Sequence, residues 1–278
     1  MMPTKLGILA GRGELPRRVI AACQRANRPC FVLAFNDQTD PETTAGVLHA
    51  WVRLGAAAEG LAALRKAGVT DVVMAGAIRR PSIPAMRPDA RMARFLAKAG
   101  AAALRGDDGI LAAAIRELEH VEGFRVVALE SVLQDVMTPL GPLGRHAPDS
   151  AAWDDIRRGV QVARTLGALD IGQGVVVQGG LVLTVEAIEG TDAMLARAAG
   201  LKREGPGGVL VKMVKPAQER RADLPTIGLT TVEAAHRAGL RGIAVEAEGA
   251  VVVGRDEMVA RADALGLFVV GVEPEPAS

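Results

Sequence analysis

Short apolar runs that end in glycine-containing turns constrain the fold of this chain more than any other feature. The first run, Leu6–Ala10, is followed by a turn at 11–13 and by a helical pattern that ends at Ala26. Similar runs recur at 30–35 and 71–76. Short apolar strands that alternate with helical patterns predict βα units and parallel sheets. We therefore predict an α/β protein that begins with a Rossmann-like open sheet.

The composition supports a core built from aliphatic side chains. Aromatic residues make up 3% of the chain and tyrosine is absent, whereas hydrophobic residues make up 49%. A net charge of +1 gives no reason to expect a nucleic-acid partner. The sequence contains no apolar run of about 18 residues and no signal-like start, so we predict a cytoplasmic protein without a transmembrane segment.

The length of 278 residues favours two domains. A segment rich in proline and glycine separates the two halves and is typical of a linker. We predict an N-terminal Rossmann-like domain at 1–135, a linker at 136–149 and a second α/β domain, the catalytic one, at 150–278. In the second domain, Gly179-Gly180 between two apolar runs predicts a β-hairpin.

Two turns of the first domain follow predicted strands, where open parallel sheets bind ligands. Glycines and arginines in these turns are candidate phosphate contacts: Gly11, Arg12, Gly76, Arg79 and Arg80. A strand, a glycine turn and a helix can direct backbone N–H groups at an anion. Plain tight turns and surface arginines remain the alternative. A dinucleotide fingerprint is rejected, because Pro16 stands where its third glycine is required.

The stretch 212–228 of the second domain concentrates charge between a predicted strand and a predicted helix. Its candidate ligand contacts are Lys212, Lys215 and Arg220, and Asp223 is its candidate catalytic carboxylate. Such a loop can hold phosphate oxygens beside a carboxylate that binds a proton or a metal ion. A solvated charged loop is the alternative. Upstream, Thr191 and Asp192 begin a predicted helix, either as its cap or as part of a phosphate site.

Two further segments have two interpretations each. Residues 84–104 predict a basic amphipathic helix, which suits a membrane surface or an ordinary protein surface. Asp107 and Asp108 precede another predicted helix. They would either cap that helix or form a carboxylate pair for Mg²⁺.

Five segments together resemble one family, the UDP-2,3-diacylglucosamine pyrophosphatases of the LpxI type in the lipid A pathway of Gram-negative bacteria. The segments lie at 7–16, 76–81, 106–109, 189–194 and 212–228. They follow one another in the family's order over nearly the whole chain.

The resemblance implies Mg²⁺-dependent hydrolysis of UDP-2,3-diacylglucosamine to 2,3-diacylglucosamine 1-phosphate (lipid X) and UMP. It also implies two domains that hold the lipid product between them, and a homodimer. Peripheral contact with the inner membrane is a separate hypothesis, in which the predicted helix at 84–104 helps to extract the substrate from the bilayer surface. Trp51 and Trp153 are candidate interface residues by composition.

Carried over by position, the resemblance makes Asp223 the catalytic residue. It assigns Lys212, Lys215, Thr191 and Asp192 to the phosphate and metal region, with Asp192 and Asp223 as metal ligands. Whether Asp223 acts as a base or as a metal ligand stays open. A non-catalytic carrier of a nucleotide or lipid phosphate is the alternative from another class, and a Rossmann-type dehydrogenase or transferase is a third.

Overall fold

Two compact units make up the chain in the computed structural model, which describes residues 3–79, 82–104, 107–133, 135–216 and 218–274. The first unit comprises the chain up to Asp135 together with Glu219–Asp223. The second comprises Val136–Gln218 and the chain from Leu224 onward. Five residues of the charged stretch are therefore packed with the first unit, although they follow strands of the second.

The first unit contains a five-stranded sheet in the order β3-β2-β1-β4-β5, and all its strands are parallel. Its strands are β1 (Leu6–Ala10), β2 (Cys30–Phe35), β3 (His49–Val52), β4 (Asp71–Ala75) and β5 (Arg125–Val126). The strand order reverses between β1 and β4, which is the position where such sheets bind ligands. The predicted Rossmann-like sheet is confirmed.

Helices connect these strands in the first unit. They are α1 (Leu15–Arg25), α2 (Ala57–Lys66), α3 (Ile83–Met86), α4 (Ala90–Leu104) and α5 (Asp107–His120). The single helix expected over 84–104 is wrong, because α3 and α4 are separate helices and α4 is kinked at Gly100. Arg87, which precedes Pro88, has a φ of +47° and so lies outside the right-handed helical region. A residue before proline is disfavoured in that region, which agrees with a helix that ends before Arg87.

The apolar run at 124–129 has the pattern of a full strand, but β5 comprises only Arg125–Val126. A 3₁₀ turn at Leu129–Ser131 follows β5, and Leu129 is buried in that turn. An apolar run of this length has the same pattern whether it becomes a strand or a buried turn.

The second unit contains a six-stranded sheet in the order β6-β13-β11-β9-β7-β8. Its strands are β6 (Gly141–Pro142), β7 (Gly174–Gln178), β8 (Leu181–Val185), β9 (Val209–Lys212), β11 (Gly242–Glu246) and β13 (Phe268–Val272). A separate parallel pair joins β10 (Thr226–Ile227) to β12 (Val251–Val252). The predicted hairpin is confirmed, because β7 and β8 pair antiparallel around Gly179 and Gly180, both with positive φ.

Helices cover both faces of this six-stranded sheet. They are α6 (Ser150–Ala168), α7 (Gly190–Ala199), α8 (Leu229–Arg237) and α9 (Arg255–Ala264). Buried side chains of α6 pack on one face, and those of α7, α8 and α9 pack on the other. In the described part of the chain, no helix is both long and apolar enough to cross a membrane.

One edge of the second sheet gathers polar residues. The end of β9 pairs with the start of β7 through Lys212 and Gly174, and β7 begins beside the end of β8. The parallel strand β11 ends beside β9. This topology brings the residues that end β8, β9 and β11 to the same edge.

Candidate functional site

In the glycine turn that follows β1, the backbone N–H groups donate hydrogen bonds to acceptors of the protein itself. The N–H groups of Gly11 and Arg12 donate to the carbonyl oxygens of Ala75 and Ala77, both at 2.8 Å. The Gly13 N–H donates to Asp40 Oδ2 at 2.7 Å. A phosphate at these three N–H groups would have to displace protein acceptors.

Close approach of the two loops explains two of the predicted glycines. A Cβ at Gly11 would lie 2.5 Å from the carbonyl oxygen of Ala77. Gly76 has a φ of +90°, and a Cβ there would lie 2.5 Å from the carbonyl oxygen of Arg12. Both positions therefore need glycine for packing alone, and their role in phosphate binding stays a prediction.

The predicted arginines of the first unit differ in how they are held. The Arg12 guanidinium donates to the carbonyl oxygen of Asp37 at 2.6 Å. Arg79 has an exposed side chain, and its backbone N–H donates to Gln38 Oε1 at 2.9 Å. Arg80 lies outside the described residues.

An apolar cavity of about 540 Å³ lies within the first unit. Its lining includes Leu9, Leu33, Met74, Met92, Phe95 and Leu96. Arg91, Glu117 and Glu122 add charge to the wall, where Arg91 pairs with both carboxylates. Its volume is in the range of ligand pockets, and a largely apolar wall suits a hydrocarbon chain.

Asp223 lies in the wall of this cavity together with Ala222. An ion-pair network fixes the segment that carries both residues. Arg221 donates from Nη1 to Glu119 Oε1 of α5 at 2.8 Å and from Nε to Glu219 Oε1 at 2.9 Å. The hydrogen bond from Arg221 lowers the pKa of Glu219. The sequence analysis missed this anchor, because Glu119 is distant in sequence.

The ordered polar cluster of the second unit lies at the edge where β8 and β9 end. Lys212, which is 4% exposed, donates from Nζ to Thr191 Oγ1 at 2.7 Å. The Thr191 hydroxyl donates in turn to Glu186 Oε1 at 2.8 Å. The structure thus brings together two predicted residues and adds Glu186, which the sequence analysis missed. The sequence signal for it is a carboxylate directly after an apolar strand.

The other predicted residues of the second unit have different surroundings. Lys215 pairs with Asp170 at 2.7 Å. Asp192 is exposed in the first turn of α7, where the helix dipole favours a carboxylate. Arg220, which packs with the first unit, is also exposed.

Comparison with known proteins identifies the family. The chain matches the family models of the LpxI N-terminal domain over residues 5–136 and of the LpxI C-terminal domain over residues 139–270. The protein belongs to the LpxI family. It is 43% identical over 277 residues to the UDP-2,3-diacylglucosamine pyrophosphatase LpxI of Caulobacter vibrioides, with 98% of each chain covered. The resemblance inferred from the sequence is confirmed.

The LpxI C-terminal domain model covers the whole charged stretch, whereas the packing divides that stretch between the two units. Asp223 falls within the range of the LpxI C-terminal domain, yet its segment is packed with the first unit. Lys212 and Thr191 fall within the same range and are packed with the second unit.

The LpxI resemblance implies a bound Mg²⁺ ion, but few side chains that could ligate a metal lie together in the described structure. Across the described residues, no three His, Cys, Asp or Glu side chains lie close enough together to hold a metal ion. Mg²⁺ is commonly bound through one or two carboxylates and substrate phosphates, so such a site does not require a cluster of protein ligands. The Asp223 carboxylate at the cavity wall fits that kind of shared site.

Proposed function

We propose that this protein hydrolyses the pyrophosphate bond of UDP-2,3-diacylglucosamine in lipid A biosynthesis, yielding 2,3-diacylglucosamine 1-phosphate and UMP. Membership of the LpxI family supports this proposal, as does the activity that the name of the Caulobacter vibrioides relative states. The observation that carries it is a carboxylate, Asp223, in the wall of an apolar cavity. A diacylated sugar nucleotide needs both an apolar receptor and a polar group for chemistry.

The roles of the residues follow from their environments. The cavity of the first unit would take acyl chain, because its lining is predominantly apolar. Asp223 would accept a proton from the attacking water or bind the metal ion. Lys212 would neutralise charge that develops on the pyrophosphate oxygens. Bound Mg²⁺ would polarise the phosphoryl group.

The decisive experiment is to incubate the purified protein with UDP-2,3-diacylglucosamine and Mg²⁺ and to measure both products. We expect UMP and 2,3-diacylglucosamine 1-phosphate in equal amounts and over many turnovers. Reaction in ¹⁸O-labelled water, followed by mass spectrometry of both products, identifies the phosphorus that is attacked. Binding without turnover would favour the carrier instead, and binding of NAD(P) without UMP release would favour a Rossmann-type dehydrogenase.

Metal dependence is tested in the same assay. We expect EDTA to abolish UMP release and added Mg²⁺ to restore it, because the phosphates and the Asp223 carboxylate would share the ion. Undiminished turnover after exhaustive chelation would contradict the proposed Mg²⁺ requirement without contradicting the hydrolysis.

We propose further that the enzyme is cytoplasmic, contacts the inner membrane and forms a homodimer. Met92, Phe95 and Leu96 of α4 line the cavity, so part of the apolar side of this helix faces the interior of the first unit. Flotation with liposomes tests the membrane contact, and absence of association would count against it. Sedimentation equilibrium tests the dimer, which a monomer at micromolar concentration would contradict.

A further inference from the structure

The second unit contains a buried lysine, Lys212, that has more N–H donors than the described residues provide acceptors. An ammonium group has three N–H donors. In the described part of the chain, Lys212 has one hydrogen-bond acceptor, Thr191 Oγ1, and no direct ion pair. Leaving a buried cation with unfilled donors costs free energy, and an anionic ligand can fill them.

The acceptor of this lysine is itself held by a carboxylate. Thr191 uses its single hydroxyl proton to donate to Glu186 Oε1, so its lone pairs are available to the lysine. Glu186 is 7% exposed, and among the described residues its buried Oε2 has no hydrogen-bond partner. A carboxylate, a hydroxyl and an ammonium are therefore connected in series.

The backbone provides space for this carboxylate. A Cβ at Gly174 would lie 2.5 Å from Glu186 Oε2, and a Cβ at Gly172 would lie 2.1 Å from the carbonyl oxygen of Glu186. Neither glycine has a positive φ, so close approach rather than turn geometry accounts for them. A side chain at either position would therefore displace Glu186 from its present position.

We infer that Glu186 is a positioning residue, which orients Thr191 as the acceptor of Lys212 and so directs the other two N–H groups of Lys212 toward the substrate's phosphate. This inference rests on the proposed function. Without Glu186, the Thr191 hydroxyl can rotate and donate elsewhere, and the lysine loses its fixed direction. Misplacement of a group that acts on the transition state lowers kcat more than it raises KM.

The kinetic test compares variants that keep or remove the hydrogen bonds from Thr191 to Glu186 and from Lys212 to Thr191. We expect Thr191→Val and Glu186→Ala to lower kcat about 10- to 100-fold while KM changes less than about threefold. Thr191→Ser and Glu186→Gln keep a hydroxyl and an acceptor oxygen, so each should restore kcat to within about fivefold of wild type. Gly174→Ala should lower kcat without removing any polar group, because it displaces Glu186 Oε2.

The matched control is Thr184→Val. Thr184 lies on β8 near Glu186, and its buried Oγ1 has no hydrogen-bond partner among the described residues. This variant should keep wild-type kcat. Equal kcat for wild type and Thr191→Val, or equal losses in Thr191→Val and Thr184→Val, would overturn the inference. If Glu186→Ala does not fold, the near-isosteric Thr191→Val and Glu186→Gln still decide it.

A spectroscopic measurement separates this inference from the proposed reaction. A buried, hydrogen-bonded ammonium exchanges its protons slowly, so we expect an ¹H–¹⁵N signal from Lys212 Nζ that Lys212→Met removes. Thr191→Val should shift or abolish this signal, and Thr184→Val should leave it in place. A signal that is unchanged in Thr191→Val overturns the inferred connection from Glu186 through Thr191 to Lys212. Absence of wild-type turnover overturns the hydrolase proposal alone, and the signal still tests this connection.

Discussion

The glycine turn of the first unit and the Lys212 cluster of the second were both predicted to bind phosphate, but they differ in their unused donors. The N–H groups of the turn at 11–13 are bonded to protein acceptors. Lys212, by contrast, is buried with one acceptor among the described residues. A glycine pattern therefore does not identify an anion site until the partners of its N–H groups are known.

The two units also differ in what surrounds their carboxylates. Asp223 lies at an apolar cavity of the first unit, and Asp192 is exposed on α7 of the second. In the proposed reaction, this difference would give apolar binding and the catalytic carboxylate to the first unit. It would give anion neutralisation to the second.

The largest expected effect is the loss of kcat when Asp223 is replaced, compared with the loss when Asp192 is replaced. Asp223→Ala should lower kcat about a thousandfold or more while substrate binding is retained, because a general base or metal ligand acts mainly on the chemical step. Asp192→Ala should lower it less than about tenfold, since the exposed carboxylate is well screened. UMP release and calorimetric binding to an inactive variant measure the two quantities. The reverse order would move the catalytic role to the second unit.

The second prediction concerns the close approach of the two glycine loops. Gly76→Ala should destabilise folding by about 2–4 kcal/mol, because it combines a steric overlap with a positive φ. Gly11→Ala has the overlap alone and should cost about 1–3 kcal/mol.

Gly13→Ala is the matched control for that pair. Gly13 has a φ of +90°, but nothing lies within 4 Å of a Cβ there. It should cost about 1–2 kcal/mol from backbone strain alone. Denaturant unfolding gives all three values. If Gly76→Ala were no more destabilising than Gly13→Ala, loop packing would not explain the glycine.

The third prediction compares cations of the two units. Lys212→Met should lower kcat about 100-fold, as loss of one preorganised donor does in other hydrolases. Arg12→Met should change kcat/KM by no more than about fivefold, which corresponds to about 1 kcal/mol for an exposed charge. Steady-state kinetics of both variants test the contrast. Equal losses would restore the glycine turn as a phosphate site.

The smallest expected effect is at the cavity. Ala114 is half-buried and lines it. Ala114→Phe should raise KM for the diacylated substrate about tenfold, because displacing roughly two methylenes costs about 0.8 kcal/mol each. Inhibition by UMP should not change. Ala58→Phe, on the exposed side of α2, is the control. A wild-type KM in Ala114→Phe would remove the acyl chain from this cavity.

Much of the fold could be predicted from local patterns, and the failures were local too. Strands β1, β2 and β4 follow from apolar runs bounded by glycine or proline. The pattern at 84–104 concealed the break before Pro88, since the apolar spacing continues across it. Glu186 was missed because a carboxylate after a strand is ordinary until its partners are known.

The sequence by itself determined the α/β class, the parallel first sheet, the hairpin at Gly179-Gly180 and the LpxI family. These depend on periodicity, turn chemistry and residues in a fixed order along the chain. Tertiary structure decided which partners each part of the charged stretch contacts. It packed Asp223 with the cavity through Arg221 and Glu119, and it joined Lys212 to Glu186 through Thr191. The physical reason is that hydrogen bonds and burial depend on groups far apart in sequence, which no local pattern records.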